Sequence, residues 1–499
     1  MRFLLLSSVM LFSACVAAPQ QPLETPQAKN PRNIILVMGD GLGPQQLGIL
    51  SAFGRIQPES DEGFRELAAN SAIGVHLPFS EDSVVNDSAC SATQLGSGCS
   101  CLPQQVGVDS HGAPCPSFIE LAQKLGMKTG VVSDTRLTHA TPASFSVHVE
   151  NRGSEPEIAA KIAASGIDLL LSGGLSFFLP KDSAATLPAD CAALKAPSVR
   201  ADSNDLIRDF STRGYSLVCS RRALRAASRL PLVGLFASNE MREAFSEGEG
   251  SEPTLAQMTA SALELLDNPR GFALMVEAGQ IDWAGHDNDV GWLLAEMRRA
   301  DRMLRVINEF AERNPDTLVL VTGDHETGSF GFSYRKASED EAPDAKRNGA
   351  HLHFADADDL RSVARARRSN RDTLREFFSL PSEKRSAETL SRLASHASGH
   401  PFSIDEAKHF LSCLDTTSKK PKVESSRCPL GAFYPYEDLN PAVLLGRPTS
   451  TRTSAVWGNG THTSTPILVF ARGPGADRFT GVQTSTELGA RLIQSLPKP

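Results

Sequence analysis

Six short stretches of the chain carry side chains that can do chemistry together. Gly39-Asp40-Gly41 sets a carboxylate between two glycines that let the backbone turn sharply. Asp87-Ser88-Ala89-Cys90-Ser91-Ala92-Thr93 offers a serine ahead of small residues that suit a tightly packed helix start. Free N–H groups and the positive dipole end there favour an alkoxide or a phosphoserine. A serine needs an activator. No G-x-S-x-G elbow surrounds Ser88, so a metal ion is the other way to lower its pKa. In Glu277-Ala278-Gly279-Gln280-Ile281-Asp282-Trp283-Ala284-Gly285-His286, Asp282 and His286 stand four apart. One helical turn puts both on a single face, an arrangement that suits zinc. Asp324 and His325 are adjacent in Thr322-Gly323-Asp324-His325-Glu326 and reach one ion if the backbone kinks. His462 follows Gly460-Thr461. Last, Thr141-Pro142, two residues after His139, reads as an N-cap followed by proline at the first helical position. Arg152 lies about three turns further along such a helix. Its planar fork can hold two phosphoryl oxygens.

Each stretch alone has a plain structural reading: a turn aspartate, an N-capping serine, a surface i,i+4 pair, a lone histidine, a solvated arginine. Their setting favours chemistry. Short apolar runs at Asn33–Gly39, Lys128–Asp134, Asp168–Gly173, Phe272–Glu277, Thr317–Gly323 and Pro466–Arg472 have the length and continuity of strands buried on both faces. Helix-like stretches lie between them, at Pro116–Gly126, Glu155–Ser165, Thr254–Leu266 and Val290–Phe310. This alternation predicts an α/β sandwich around a mostly parallel central sheet. Ligands of such sheets bind at the carboxyl ends of the strands, and Asp40, Glu277 and Asp324 each stand there. Residues of about 333–456 break the alternation, with an acidic block at 339–344 and a basic block at 361–371, and read as a long insertion.

The 499 residues, 40% hydrophobic and 22% charged, exclude a disordered, collagen-like or coiled-coil protein. A net charge of -8 argues against nucleic acid or any generic polyanion as a partner, so an anionic substrate needs a local positive site. At the N-terminus, Arg2 precedes an apolar run from Phe3 to Phe12, too short to span a bilayer. Residues 1–14 are expected to be an export signal and 15–31 a Pro/Gln-rich tether. Leu11-Phe12-Ser13-Ala14-Cys15 resembles a bacterial lipoprotein box, which would make Cys15 a lipidated membrane anchor and place the protein in the periplasm or on the outer membrane. Cleavage after Ala17 or Ala18 is the alternative. Eight further cysteines fit an oxidising compartment. Cys191–Cys219 and Cys413–Cys428 are the expected local pairs, with Cys115 joined to Cys99 or Cys101.

The order of the six stretches, with the Asp-Ser-Ala-x-Ser-Ala-Thr signature, resembles the alkaline phosphatase family over residues 31–335 and 456–496. The resemblance implies a three-layer α/β/α fold for residues 32–496 and hydrolysis of small phosphate monoesters through a phosphoserine. It further implies two zinc ions, one magnesium and a homodimer. Matched motif by motif, Ser88 is the nucleophile. Asp40 bridges one zinc and the magnesium, and Asp324 and His325 complete the zinc site beside Ser88. Asp282, His286 and His462 form the other zinc site, Thr141 and Glu277 the remaining magnesium ligands, and Arg152 the phosphate clamp. His139 stands where the best-known bacterial pattern has an acid near the magnesium, and Trp283 where it has a lysine near the phosphate. The insertion resembles the crown of some members, which shapes the cleft and often the dimer contact. The competing readings are a phosphodiesterase or sulfatase on the same two-metal core, or a non-catalytic zinc- or phosphate-binding envelope lipoprotein. In the insertion, His351, His353, His396, His400 and His409 read as surface residues, with His351 and His353 able to hold an accessory metal.

Overall fold

The computed structural model describes residues 30–181, 186–337, 352–415 and 421–498. The signal segment, Cys15, the acidic block and His351 lie outside them.

A ten-stranded sheet runs through the core. Its strands are β1 (Asn33–Gly39), β2 (Ala72–Leu77), β3 (Lys128–Arg136), β4 (Leu169–Gly173), β5 (Ser216–Val218), β6 (Leu232–Leu235), β7 (Phe272–Ala278), β8 (Thr317–Gly323), β9 (Ile467–Arg472) and β10 (Gly481–Thr484). They lie in the order β10-β2-β9-β8-β1-β7-β3-β4-β6-β5. Only β9 runs against its neighbours. The six apolar runs are six of these strands. The remaining four (β2, β5, β6 and β10) lack a long apolar run; β2 and β10 have exposed or half-buried positions, which blurs their pattern.

Successive side chains of β1 enter opposite layers. Ile34, Leu36 and Met38 pack into one apolar cluster, and Ile35 and Val37 into the other. Helices cover both faces, so the architecture is α/β/α. Each such buried side chain contributes roughly 1.5–3 kcal/mol. The register of the inner strands aligns their chemistry. Gly39 lies level with Ala278 of β7 and Gly323 of β8, and Glu277 lies level with Met38 and with Ser133 of β3. Asp40 and Asp324, just past β1 and β8, and Glu277, near the end of β7, therefore meet at the carboxyl ends of neighbouring strands.

The segment between β8 and β9 leaves the core through a two-residue antiparallel pair, Gly331–Phe332 with Ala455–Val456. Inside it Leu374, Phe377, Leu390, Phe402, Phe410 and Leu445 form a separate small core. Among the described residues four disulfides are present: Cys90–Cys101, Cys99–Cys115, Cys191–Cys219 and Cys413–Cys428. His400 is buried rather than superficial.

Candidate active site

Ser88 is the first residue of the helix Ser88–Ser97, and Asp87, not Ser88, is its cap, accepting a bond from the Cys90 N–H. The seryl Oγ is thereby free to face inward. It lies 3.2 Å from His325 Nε2 and 3.4 Å from Asp40 Oδ1. Asp40 follows β1 directly. Next to it Gly41 adopts a φ of +73°, and a Cβ there would stand 2.7 Å from the Asp282 backbone, so only glycine fits both the turn and the contact. The Gly41 N–H donates to Asp324 Oδ1, and the His325 N–H donates to the same oxygen. That is the kink that turns both Asp324 and His325 toward Ser88.

Asp282 and His286 lie on the helix Gln280–His286, with His286 Nε2 3.2 Å from Asp282 Oδ2. His462 comes from a distant short strand paired with Glu326–Thr327. Its Nε2 is 3.3 Å from His286 Nε2 and 3.6 Å from Asp282 Oδ1. Its ring stacks on His325 at 3.5 Å. Carbonyls fix two of these rings: Asn86 O meets His462 Nδ1 and Gly460 O meets His286 Nδ1. A third group gathers behind Asp40. Thr141 Oγ1 donates to Asp40 Oδ2, and Glu277 Oε2 accepts from Ser133 and Thr135. His139 Nδ1 lies 3.9 Å from Glu277 Oε1.

Two local expectations are corrected. The helix carrying Thr141 is only Ala140–Ser144, and its cap position is His139, so Thr141 is its second residue and not its cap. The helix ends eight residues before Arg152, which sits in a turn and not three turns along. There the Arg152 N–H donates to Gln104 O, while its Nη1 donates to Asp87 Oδ2. Asp87 also accepts from the backbone and side chain of Gln104. One carboxylate thus caps the serine helix and aims the guanidinium across it. Trp283 lies edge-on to His139, and Arg371 from the insertion lies 5.9 Å over its ring. Arg371 is held by two bonds to buried Asp287. Asp87 and Arg371 escape a motif reading. Asp87 precedes the serine in the signature, where its position was the only signal. Arg371 hides in a basic block that looks like solvated surface.

The electrostatics fit divalent cations. Asp40, Glu277, Asp282 and Asp324 are all buried. Burial raises Asp40 well above the carboxylate range, aided by Asp324, Asp282 and Glu277. Burial, with Asp134 nearby, pushes Glu277 up to about 8, and burial with Asp282 pushes Asp324 up to about 7. Burial alone would raise Asp282 too, but the imidazoles of His286, His462 and His325 outweigh it and hold it well below. Burial depresses His462 to about 4 and drives His325 and His139 well down, so these rings are neutral donors. Glu277 Oε1, Asp324 Oδ2 and His139 Nδ1 are buried without a hydrogen-bond partner. Ligand atoms of three sets converge: Asp282 with His325 and His462, Asp40 with Asp324 and His325, and Asp40 with His139 and Glu277. Orphaned lone pairs and uncompensated carboxylates in mixed Asp/His sets are what open zinc-type sites need.

Ser88, His139, Asp282, His286 and His462 line a cleft of about 770 Å³ that also reaches Arg152, Trp283, Arg371 and Tyr436. A family model described as alkaline phosphatase matches residues 31–379. Alkaline phosphatase 4 of Bacillus subtilis is 27% identical over 494 residues, covering 96% of this chain and 93% of that protein. The repressible alkaline phosphatase of Saccharomyces cerevisiae is 34% identical over 319 residues, covering 60% of this chain and 55% of that protein. The crystal structure of the cold-active alkaline phosphatase from Shewanella sp. matches at a TM-score of 0.70 and 26% identity, covering 93% of this chain and all of that one. Family model, relatives and fold agree with the donor sets at the sheet edge: the chain belongs to the alkaline phosphatase family and is a metal-dependent phosphoric monoester hydrolase.

Proposed function

We propose that the chain hydrolyses phosphate monoesters in two successive displacements at phosphorus, with Ser88 as the nucleophile. In the first, Ser88 Oγ forms a bond to phosphorus and the alcohol leaves with the ester oxygen. In the second, water displaces Ser88 Oγ, giving inorganic phosphate and the free serine. The observation that carries this reading is the placement of Ser88 Oγ at a helix start within 3.4 Å of both Asp40 and His325, inside a buried ring of metal-type donors.

Asp324, His325 and Asp40 would hold one zinc beside Ser88, and Asp282, His286 and His462 the other. Asp40, Thr141 and Glu277, joined by His139, would hold the third ion, magnesium in most of the family. An imidazole in that set moves its preference from magnesium toward zinc or cobalt. When bound, the zinc pair supplies the Lewis acidity that neutralises the phosphate dianion and stabilises the attacking and leaving oxygens. The protein's own groups do the rest. The helix start places N–H dipoles behind Ser88 Oγ and favours its anionic form. The Arg152 fork, pre-aimed by Asp87, grips the non-bridging oxygens, where transition-state charge is spread. The neutral rings of His325 and His462 keep their lone pairs available at mild pH. Trp283 and Arg371 close the cleft beside His139.

The same reading takes residues 1–14 as a signal, Cys15 as a lipid anchor and 15–31 as a tether. That places a homodimer in the periplasm or on the outer membrane, its insertion shaping the cleft entrance. The test is mass spectrometry of enzyme quenched in acid during turnover of p-nitrophenyl phosphate. A phosphate on Ser88, absent in Ser88→Ala together with activity, is expected. Full turnover by Ser88→Ala overturns the assignment.

A further inference from the structure

The cleft is lined by two unlike kinds of residue. Arg152 and Gln104 make up a polar part of its lining. Phe433, Tyr436 and Leu439 of the insertion make up an apolar part. Phe433 is 70% exposed and Tyr436 43%. A single exposed ring needs no explanation, but these face one cleft and their backbone is pinned to the site. The Gly460 N–H, two residues before His462, donates to Phe433 O. The Tyr434 hydroxyl donates to Asn288 Oδ1, and Asn440 Nδ2 donates back to Tyr434 O. The segment is therefore tied to the same loops that carry His286 and His462.

A ladder of rings leads from the nucleophile to this apolar part. His325 lies 3.2 Å from Ser88 Oγ, His462 stacks on His325, His286 is 5.1 Å from His462, and Tyr436 stands edge-on to His286 at 5.0 Å. In an in-line displacement the leaving oxygen departs on the side away from the attacking one. An alcohol leaving opposite Ser88 then emerges at the far end of the ladder, against Tyr436 and Phe433.

We propose that Phe433 and Tyr436 are specificity-determining residues that bind the alcohol portion of the ester and select flat, aromatic alcohols over small aliphatic ones. The proposal rests on the monoesterase reading and deepens it. Two substrates of matched leaving-group basicity isolate the effect: 3-phenylpropyl phosphate and n-propyl phosphate. Ring contacts of this kind are worth about tenfold in kcat/KM. The wild-type enzyme is expected to favour the phenyl substrate by about that factor. Phe433→Ala with Tyr436→Ala is expected to bring the ratio near unity, chiefly through KM of the phenyl substrate, and Tyr436→Phe alone to keep it. A wild-type ratio near unity overturns the proposal. So does a ratio that survives the double substitution, whether or not both rates fall. Hydrolysis of neither substrate by the wild-type enzyme would instead strike at the monoesterase reading itself.

Discussion

Stripping the metals should make the protein's stability fall with rising pH, and the size of the fall follows from the buried carboxylates. Glu277, held near 8, and Asp324, held near 7, are protonated in the metal-free native state at pH 6.5. In the unfolded chain both titrate near pH 4. A raised carboxyl favours folding at low pH, and that contribution is lost as pH rises toward the native value. Each group costs about 1.4 kcal/mol per pH unit in that window. From pH 6.5, Glu277 contributes about 1.5 units of loss and Asp324 about 0.5, together roughly 3 kcal/mol. Asp40, raised in the same direction, adds to it. Below pH 6.5 the depressed histidines have the opposite sign. His462, near 4, stabilises above its unfolded value and loses that as pH falls. Above 6.5, burial also holds Glu243 near 8 and Glu296 near 7, but these lie outside the metal sites and titrate in both forms, so the difference between chelated and loaded protein isolates the site carboxylates. With an unfolding entropy of roughly 1 kcal/mol/K for a chain this long, chelated protein should lose about 3 °C more in Tm between pH 6.5 and 8.5 than loaded protein does. Zinc- and magnesium-loaded protein, whose ligands are already deprotonated, should lack this part of the fall. Calorimetry of both forms checks this. Glu277→Gln should remove most of the slope by which the chelated form exceeds the loaded one. Parallel Tm curves for loaded and chelated protein, or an unchanged slope in Glu277→Gln, would refute the reasoning.

Arg152→Ala removes a charge-assisted clamp, and the inhibition constant of inorganic phosphate should rise about 10- to 100-fold, read by competition against p-nitrophenyl phosphate. Asp287→Ala leaves the half-buried Arg371 guanidinium without its partner and should cost about 1–3 kcal/mol, read as a lower urea midpoint and earlier proteolysis between the core and the insertion. Asp287→Asn, which keeps one acceptor, should cost less.

Much of the site was legible because its signals are local. Three acids each follow an apolar run, and parallel strands present their carboxyl ends on one edge, so Asp40, Glu277 and Asp324 could be placed together from the run lengths alone. The spacing of Asp282 and His286 gave one helical face. The helix at Thr141 was read too long because Thr-Pro favours a helix start but says nothing about its end. It stops at Ser144 because the chain must turn to bring Arg152 over Asp87, a demand set by partners 65 residues away in sequence. The cysteines divide the same way. Cys191–Cys219 and Cys413–Cys428 follow from proximity, whereas the choice of Cys99 over Cys101 for Cys115 depended on Cys90, inside the serine helix, claiming Cys101.

The sequence by itself determined the six strands with continuous apolar runs and the four longer periodic helices, the kinds of donor available and their positions at strand ends, because backbone periodicity and turn chemistry act over a few residues. Only the tertiary structure decided that His462 stacks on His325, that Asp87 aims Arg152, and that Arg371 and Tyr436 reach into the cleft from the insertion. Those contacts join segments separated by tens to hundreds of residues. Their geometry is fixed by sheet order and by how the insertion packs on the core, which no local pattern encodes.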